Sequence, residues 1–202
     1  MIESSKVEGP EKEGRRSRKK RETLERITEA GLKLFVKNGY EGTTLDEIAA
    51  EAGIARRTFF YYFKSKEAIL MAYLDGGFAR SSVPLLLAQP TDQAPLTAVR
   101  NSFLQLMSWF ETKEAIVVDT LLGSTEALRA RMQANYVETE HLVFGALCEL
   151  WPQPERRASL RIVAMVSIGA MRVAKEAWRQ EEGKRPLAEY LRDSFAALEK
   201  IV

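Results

Sequence analysis

Two short runs of apolar residues at helical spacing stand on either side of one glycine in the first third of the chain. The first run begins at Thr44, which lies three residues before Glu47 in the capping-box spacing that starts a helix. Gly53 favours the left-handed conformation that ends a helix, and the second helix must begin almost at once, near Ala55 or Arg56. The pattern predicts a helix-turn-helix unit, and DNA binding is the first hypothesis that it supports.

The second of these helices has an apolar face and a face that is available to a ligand. Phe59 and Phe63 are four residues apart and share the face that we assign to the core. The remaining side chains are cations, hydroxyls and aromatic rings: Arg56, Arg57, Thr58, Phe60, Tyr61 and Tyr62. Adjacent residues cannot share a helical face, so at least one of the two tyrosines faces outward. The arginines alone could be solvated charges at a helix start, but the surrounding motif favours a nucleic-acid contact.

An upstream helix completes a small domain. Its apolar stripe runs from Leu24 to Phe35, and Asn38-Gly39 supplies a carboxy-terminal stop. We therefore predict a three-helix DNA-binding domain over residues 20–66.

The rest of the chain, residues 67–202, also reads as helix, and no alternating strand pattern or internal repeat interrupts it. We predict an all-α protein of about nine helices, in which a helical ligand-binding and dimerisation domain follows the helix-turn-helix domain. Prolines, glycines and capping residues mark the later helices. The fourth helix spans about Lys66–Ser81 and ends before Pro84, and the next helix begins at Pro95. The others span about Lys113–Leu122, Thr125–Leu150, Glu155–Gln180 and Pro186–Val202.

The helix from Glu155 to Gln180 is apolar nearly all round between Leu160 and Ala174. Such a helix is buried on several sides, while its length and two arginines argue against a membrane span. One side covers the domain's own core, and the other needs a partner that Gly169 and Ala170 would let approach closely. The final helix carries a second apolar stripe.

Charge changes the picture only at the amino terminus. The net charge is +2, yet six of the seven residues from Arg15 to Arg21 are basic. We predict that residues 1–19 form a disordered basic arm that follows the phosphates or the minor groove. For the residues before Gly14, a solubilising tail is the equal alternative.

Cys148 and His141 each occur once, so the sequence indicates no internal disulfide, no metal site and no cofactor. The amino terminus lacks the apolar segment of a signal peptide, and we expect a cytoplasmic protein without membrane contact. There is no glycine-rich phosphate loop and no set of nucleophile, histidine and carboxylate, so we do not expect an enzyme.

The helices and turns of the first domain assemble into one spaced pattern of residues. Its positions are Ile27, Ala30, Leu34-Phe35, Gly39-Tyr40, Thr43-Thr44, Ile48-Ala49, Ala52-Gly53, Thr58-Phe59, Tyr62-Phe63 and Ser65-Lys66-Glu67. This pattern resembles the amino-terminal DNA-binding domain of the TetR family of bacterial repressors.

The resemblance implies a role for each matching position. It implies phosphate contacts at Thr44 and at Lys66, which opens the fourth helix, and a recognition helix in the major groove over Ala55 to Tyr62. The implied DNA-binding residues are Thr44, Ala55, Arg56, Arg57, Thr58, Phe60, Tyr61, Tyr62 and Lys66.

Three of these positions depart from the family pattern. Ala55 replaces a frequent capping serine, a loss of about 1 kcal/mol unless another group supplies the acceptor. Arg57 replaces a frequent glycine and adds a guanidinium that can make a bidentate contact with guanine or phosphate. Phe60 replaces a common tyrosine and lacks its phosphate-binding hydroxyl.

The middle helices enclose either a ligand cavity or a plain core. Flexible and aromatic side chains of the kind that line apolar sites are Phe103, Met107, Phe110, Tyr136, Phe144, Met165 and Met171. The segment from Leu122 to Trp178 also resembles a carboxy-terminal domain type associated with acyl-CoA-like ligands, which implies a small apolar or acyl-type effector.

The resemblance implies a homodimeric repressor that binds a palindromic double-stranded DNA operator, with its two recognition helices about 34 Å apart. An effector would release it by favouring a conformation that no longer matches the operator. An architectural DNA-binding protein without an effector is the alternative.

Overall fold

The computed structural model describes residues 15–76, 78–107 and 113–200. Over these residues the chain is all-α, as the sequence predicted, and has no strand. A 3₁₀ turn spans Pro154–Arg156. The ten helices are Arg15–Asn38 (α1), Leu45–Glu51 (α2), Arg56–Tyr62 (α3), Lys66–Gly76 (α4), Phe78–Leu87 (α5), Pro95–Met107 (α6), Lys113–Leu122 (α7), Glu126–Leu150 (α8), Arg157–Gln180 (α9) and Leu187–Glu199 (α10).

The boundaries that rest on capping residues agree with the sequence analysis. Thr125 caps α8, because its hydroxyl accepts a hydrogen bond of 3.2 Å from the amide of Leu128. Gly39 and Gly53 both have positive φ, +78° and +64°, as expected where a helix ends.

Two of the expected boundaries are wrong. Residues 15–19 belong to α1 and are not a disordered arm, while residues 1–14 lie outside the described part. Ion pairs between residues four apart, Arg18 with Glu22 and Arg21 with Glu25, offset the charge repulsion in this segment. Helix α5 also runs through Pro84 to Leu87, although we expected the helix to end before that proline.

Helices α1, α2 and α3 and the start of α4 share one core. Ile27 and Phe35 of α1 are buried there with Ile48 of α2 and Phe59 of α3. Ile69 of α4 is also fully buried, so the fourth helix is anchored in the core of the helix-turn-helix unit. Helix α1 packs against both α4 and α7, which ties this unit to the rest of the chain.

The remaining helices form a bundle around α8 and α9. Phe103 of α6 and Phe195 of α10 are fully buried and meet edge to face, with ring centroids 6.4 Å apart. Tyr190 and Leu191 of α10 are buried as well. The apolar stripe of this helix therefore covers, over much of its length, the chain's own core. We expected Ala170 to face a partner, but it is buried within the chain.

One face of α9 is exposed, with no cover from the residues that the structure describes. Ile162, Met165 and Val173 are 59%, 51% and 59% exposed, and we call these three residues the outer face of α9. The opposite side of the helix is buried at Leu160, Ala164, Ile168, Met171, Ala174 and Trp178. In the described residues no helix is both long enough and apolar enough to span a membrane.

The close approach of α1 to α4 depends on a glycine. A Cβ atom on Gly31 would lie 2.9 Å from Cγ2 of Ile69, closer than side-chain contacts allow. We predict that Gly31→Ala lowers the free energy of unfolding by about 1–3 kcal/mol, because this overpacking outweighs the gain in helix propensity. Denaturant unfolding measures the change.

The matched control is Gly145→Ala in α8, where a Cβ atom would meet nothing within 4 Å. That variant gains about 0.5–1 kcal/mol from helix propensity alone. Equal changes in the two variants would contradict the close packing of α1 on α4.

Candidate nucleic-acid interface and ligand cavity

Helix α2 is fixed at its start by a complete capping box. The amide of Glu47 donates to the Thr44 hydroxyl at 3.2 Å, and the amide of Thr44 donates to the Glu47 carboxylate at 2.8 Å. The backbone amide of Thr44, followed by its hydroxyl, lowers the pKa of Glu47. Thr44 is exposed, as a phosphate contact requires, but its hydroxyl also donates to Glu47 at 2.8 Å.

The turn between α2 and α3 is set by backbone hydrogen bonds. Gly53 donates to the carbonyl of Ala50 at 3.0 Å, and Ile54 donates to that of Ala49 at 3.1 Å. Helix α3 then starts at Arg56 without a side-chain cap, because Ala55 has no acceptor. The structure therefore confirms that this helix lacks a side-chain cap, as the sequence indicated.

The inner face of α3 is aromatic. Phe59 is fully buried, and its ring lies 6.2 Å from that of Phe63 and 5.5 Å from that of Phe60. These contacts fix the rotation of α3 about its own axis, because Phe59 and Phe63 both point into the core.

The outer face of α3 carries most of the predicted DNA-binding residues. Tyr61 is 75% exposed, and its ring packs against that of the half-buried Tyr62 at 5.2 Å. The prediction that at least one tyrosine faces outward is confirmed. Ala55, Arg56, Arg57 and Thr58 are also exposed, and Phe60 is half-buried.

Arg56 is held near the protein surface. Its Nε lies 3.0 Å from Oδ1 of Asp46, and its guanidinium lies 5.5 Å from the centre of the Phe60 ring. Both charged side chains are more than half exposed, so the pair contributes at most about 1 kcal/mol. A phosphate can replace Asp46 at little cost, whereas Arg57 has no ion pair to break in the described residues.

Lys66 has a structural contact as well as its predicted role. Its Nζ donates to the carbonyl of Tyr40 at 2.6 Å and lies 4.5 Å from the centre of the Tyr40 ring. Glu41 is 3.7 Å away. Lys66 thus joins the start of α4 to the turn after α1. Tyr40, which the sequence analysis quoted only as part of the family pattern, is the residue that positions it.

A cavity of about 100 Å³ lies in the helical bundle. It brings together residues of α4, α6, α7, α8, α9 and α10, most of them apolar. The lining residues are Tyr73, Leu74, Met107, Val118, Asp119, Leu122, Met132, Asn135, Tyr136, Met171, Lys175, Trp178 and Leu187.

One end of the cavity is charged. Asp119 of α7, only 4% exposed, has Oδ1 at 2.5 Å from Nζ of Lys175 and Oδ2 at 2.9 Å from Nη1 of Arg179. Burial lowers the pKa of Lys175, but the carboxylate of Asp119 and the phenols of Tyr136 and Tyr73 outweigh it, so the pKa is raised overall. Lys175 therefore stays charged at neutral pH.

Three of the predicted ligand-contact residues, Met107, Tyr136 and Met171, line this cavity. Phe103, Phe144 and Met165 do not. Phe103 packs on Phe195 in the core, the Phe144 ring lies under the guanidinium groups of Arg157 and Arg161, and Met165 faces outward.

Phe110 lies outside the described residues. Sequence reasoning missed Asp119 and Lys175. Both stand in helical segments with no local signal, and only the packing of α7 on α9 pairs them.

The exposed arginines of α3, in a helix-turn-helix unit, and the cavity in the helical bundle are typical of DNA-binding transcription regulators. Residues 27–73 match the family model described as "Bacterial regulatory proteins, tetR family", and residues 93–202 match the "MftR C-terminal domain". The chain belongs to the TetR family of bacterial transcription regulators.

Several known proteins are similar to this chain. It is 31% identical over 113 residues to the transcriptional regulator TcmR of Streptomyces glaucescens, covering 56% of this chain and 50% of that protein. It is 37% identical over 93 residues to the transcriptional regulator RutR of Escherichia coli, covering 46% of this chain and 39% of RutR. The matched part thus spans half or less of these curated relatives.

A solved structure is similar over most of both chains. The TetR-family repressor FadR of Thermus thermophilus, in complex with lauroyl-CoA, superposes with a TM-score of 0.56 at 27% identity. The match covers 87% of this chain and 92% of FadR.

Replacing Arg57 tests the interface. The target is a duplex that the protein has enriched from random DNA. We predict that Arg57→Ala weakens binding to this duplex by about 1–3 kcal/mol. If the guanidinium contacts phosphate, the slope of log K against log salt also falls by about one. Fluorescence anisotropy over a salt series measures both.

Lys184→Ala, an exposed cation in the turn between α9 and α10, is the control and leaves affinity and slope unchanged. If Arg57→Ala binds as the unsubstituted protein does, Arg57 is a solvated charge only.

Proposed function

We propose that this protein is a homodimeric repressor that an apolar or acyl-type small molecule releases from a palindromic operator. The observation that carries the proposal is the position of α4. This helix has Ile69 in the core of the helix-turn-helix unit and Tyr73 and Leu74 in the wall of the cavity. A ligand in the cavity therefore contacts the helix that holds the DNA-binding unit.

A hydrogen bond strengthens this connection. Nδ2 of Asn135, in the wall of the cavity, donates to the carbonyl of Leu74 at 2.9 Å and so links α8 to α4. A ligand that displaces this amide or spreads α8 from α4 changes the position of α4. The packing of α7, which carries Val118, Asp119 and Leu122 in the cavity wall, against α1 gives a second connection.

The physical mechanism is a shift of population between two conformations. A ligand releases DNA only as far as it binds the non-binding conformation better, and couplings of about 1–3 kcal/mol are typical. The similarity to FadR, which holds lauroyl-CoA in its crystal structure, supports a ligand of apolar or acyl character.

The outer face of α9 supports the homodimer. Three large apolar side chains on one helix, each at least half exposed, favour burial against a second copy. Gly169 lies on the same side of α9, and no atom lies within 4 Å of the place where its Cβ would be, so two helices can approach closely there. A two-fold axis through this face would relate two copies of α3 and match a palindromic operator.

Effector release can be tested with a ligand panel. We expect that at least one of octanoate, octanol and lauroyl-CoA both raises the midpoint of thermal unfolding and weakens operator binding by about tenfold. Met171→Trp fills the cavity and should abolish both effects while the operator is still bound. A compound that stabilises the protein without changing operator affinity would instead favour the architectural alternative.

The dimer can be tested by placing a charge on the outer face of α9. We expect Ile162→Asp to convert a dimer to a monomer, because a carboxylate cannot be buried unpaired, and to weaken operator binding through loss of the second half-site. Light scattering after size exclusion measures the mass. Thr91→Asp, in the exposed loop before α6, is the control and stays dimeric; a dimeric Ile162→Asp would place the interface elsewhere.

A further inference from the structure

The charged end of the cavity holds more positive than negative charge. Asp119 faces Lys175 and Arg179 within 3 Å of each, so the three side chains together carry one net positive charge. The Asp119 side chain is 5% exposed, and those of Lys175 and Arg179 are 22% and 32% exposed, so water compensates this charge only partly.

Stability alone does not explain such a group. Moving paired charges out of water costs about as much as their attraction returns, and apolar residues of similar volume often serve as well. Lys175 has three N–H donors, and Asp119 is its one ion-pair partner in the part of the chain that the structure describes. Lys175 and its partner Asp119 both line the cavity, and we infer that the donors which Asp119 does not occupy can reach a molecule there.

The surroundings of Lys175 match one kind of ligand head group. Asn135, Tyr73 and Tyr136 line the same cavity and carry amide or hydroxyl donors. An ammonium with such donors binds a carboxylate well, because charge-assisted hydrogen bonds are about twice as strong as neutral ones. A primary ammonium on the ligand would face two like charges, and an alcohol would leave the excess charge uncompensated.

The rest of the wall defines the body of the ligand. Met107, Met132 and Met171, with Leu122 and Val118, form the apolar part of the lining. An engineered apolar cavity of about 150 Å³ holds benzene, so about 100 Å³ suits a compact body, and flexible methionine side chains let it grow by a few atoms.

We propose that the cavity binds a compact organic monocarboxylate, with its carboxylate on Lys175 beside Asp119 and Arg179 and its apolar body against the methionines. This deepens the proposed function by naming the class of effector as a free acid. A thioester of the same acid presents a neutral carbonyl in place of the carboxylate, and it lacks the charge that Lys175 compensates.

The test compares four six-carbon probes by isothermal titration: hexanoate, hexan-1-ol, hexylamine and hexanoyl-CoA. We expect hexanoate to bind about tenfold or more tightly than each of the others. Lys175→Met keeps most of the length of the side chain and removes its charge. It should weaken hexanoate binding about tenfold and change hexan-1-ol binding less than twofold. Lys184→Met, an exposed lysine in the turn after α9, is the control and changes neither.

The proposal is overturned if the alcohol, the amine or the thioester binds as tightly as the acid, if no probe binds, or if Lys175→Met leaves hexanoate unaffected. If Lys175→Met does not fold, the double variant Asp119→Asn with Lys175→Met takes its place. It removes both charges of the pair, and we expect the same loss of hexanoate binding.

The same probes, added to the operator complex, separate this inference from the proposed function. Hexanoate that binds through Lys175 without releasing DNA overturns effector release and leaves the cavity assignment intact. If the alcohol or the thioester releases DNA as well as the acid does, effector release stands and the assignment of the cavity to a carboxylate is overturned.

Discussion

The contact between Gly31 of α1 and Ile69 of α4 is the constraint on which the rest of the molecule depends. It places the start of α4 inside the core of the DNA-binding unit, which Phe59 of α3 also joins. One turn further along the same face of α4, Tyr73 lines the cavity. About 6 Å of helix therefore separates a core residue of one unit from a wall residue of the other. The release of DNA that we propose would use this short distance, because a ligand at the cavity wall would lie within about one turn of the core of the DNA-binding unit.

Local signals in the sequence predicted most of the fold. Capping residues and the positive-φ Gly53 placed the ends of α2 and the start of α8 within about a residue, because these signals act on the backbone nearest to them. The two wrong boundaries have the opposite origin. Residues 15–19 have the composition of a disordered arm, yet they extend a helix whose later turns are anchored in a core. Pro84 lacks an N–H donor, yet the packing of α5 against α6 and α8 carries the helix through it.

The candidate sites divide in the same way. Arg57 and Tyr61 lie in one short helix, so their common face could be predicted from spacing alone. Met107, Tyr136 and Met171 stood out as side chains typical of ligand sites and do line the cavity, whereas Met165 is of the same type and faces outward. Periodicity shows that a helix has two faces and does not show which of them is covered. The pair of Asp119 and Lys175 joins two helices far apart in the chain, and no spacing rule connects them.

Because Asp119 is buried, the charged end of the cavity and the exposed arginines of α3 differ in their response to ionic strength. Mobile ions screen charges in solution over about 8 Å at physiological salt, and exposed guanidinium groups such as that of Arg57 lie within their reach. The carboxylate of Asp119 and its two cations are largely enclosed by protein, so added salt hardly changes their attraction. A change in the salt content of the surroundings therefore acts on the DNA-binding surface and leaves the charged end of the cavity as it was.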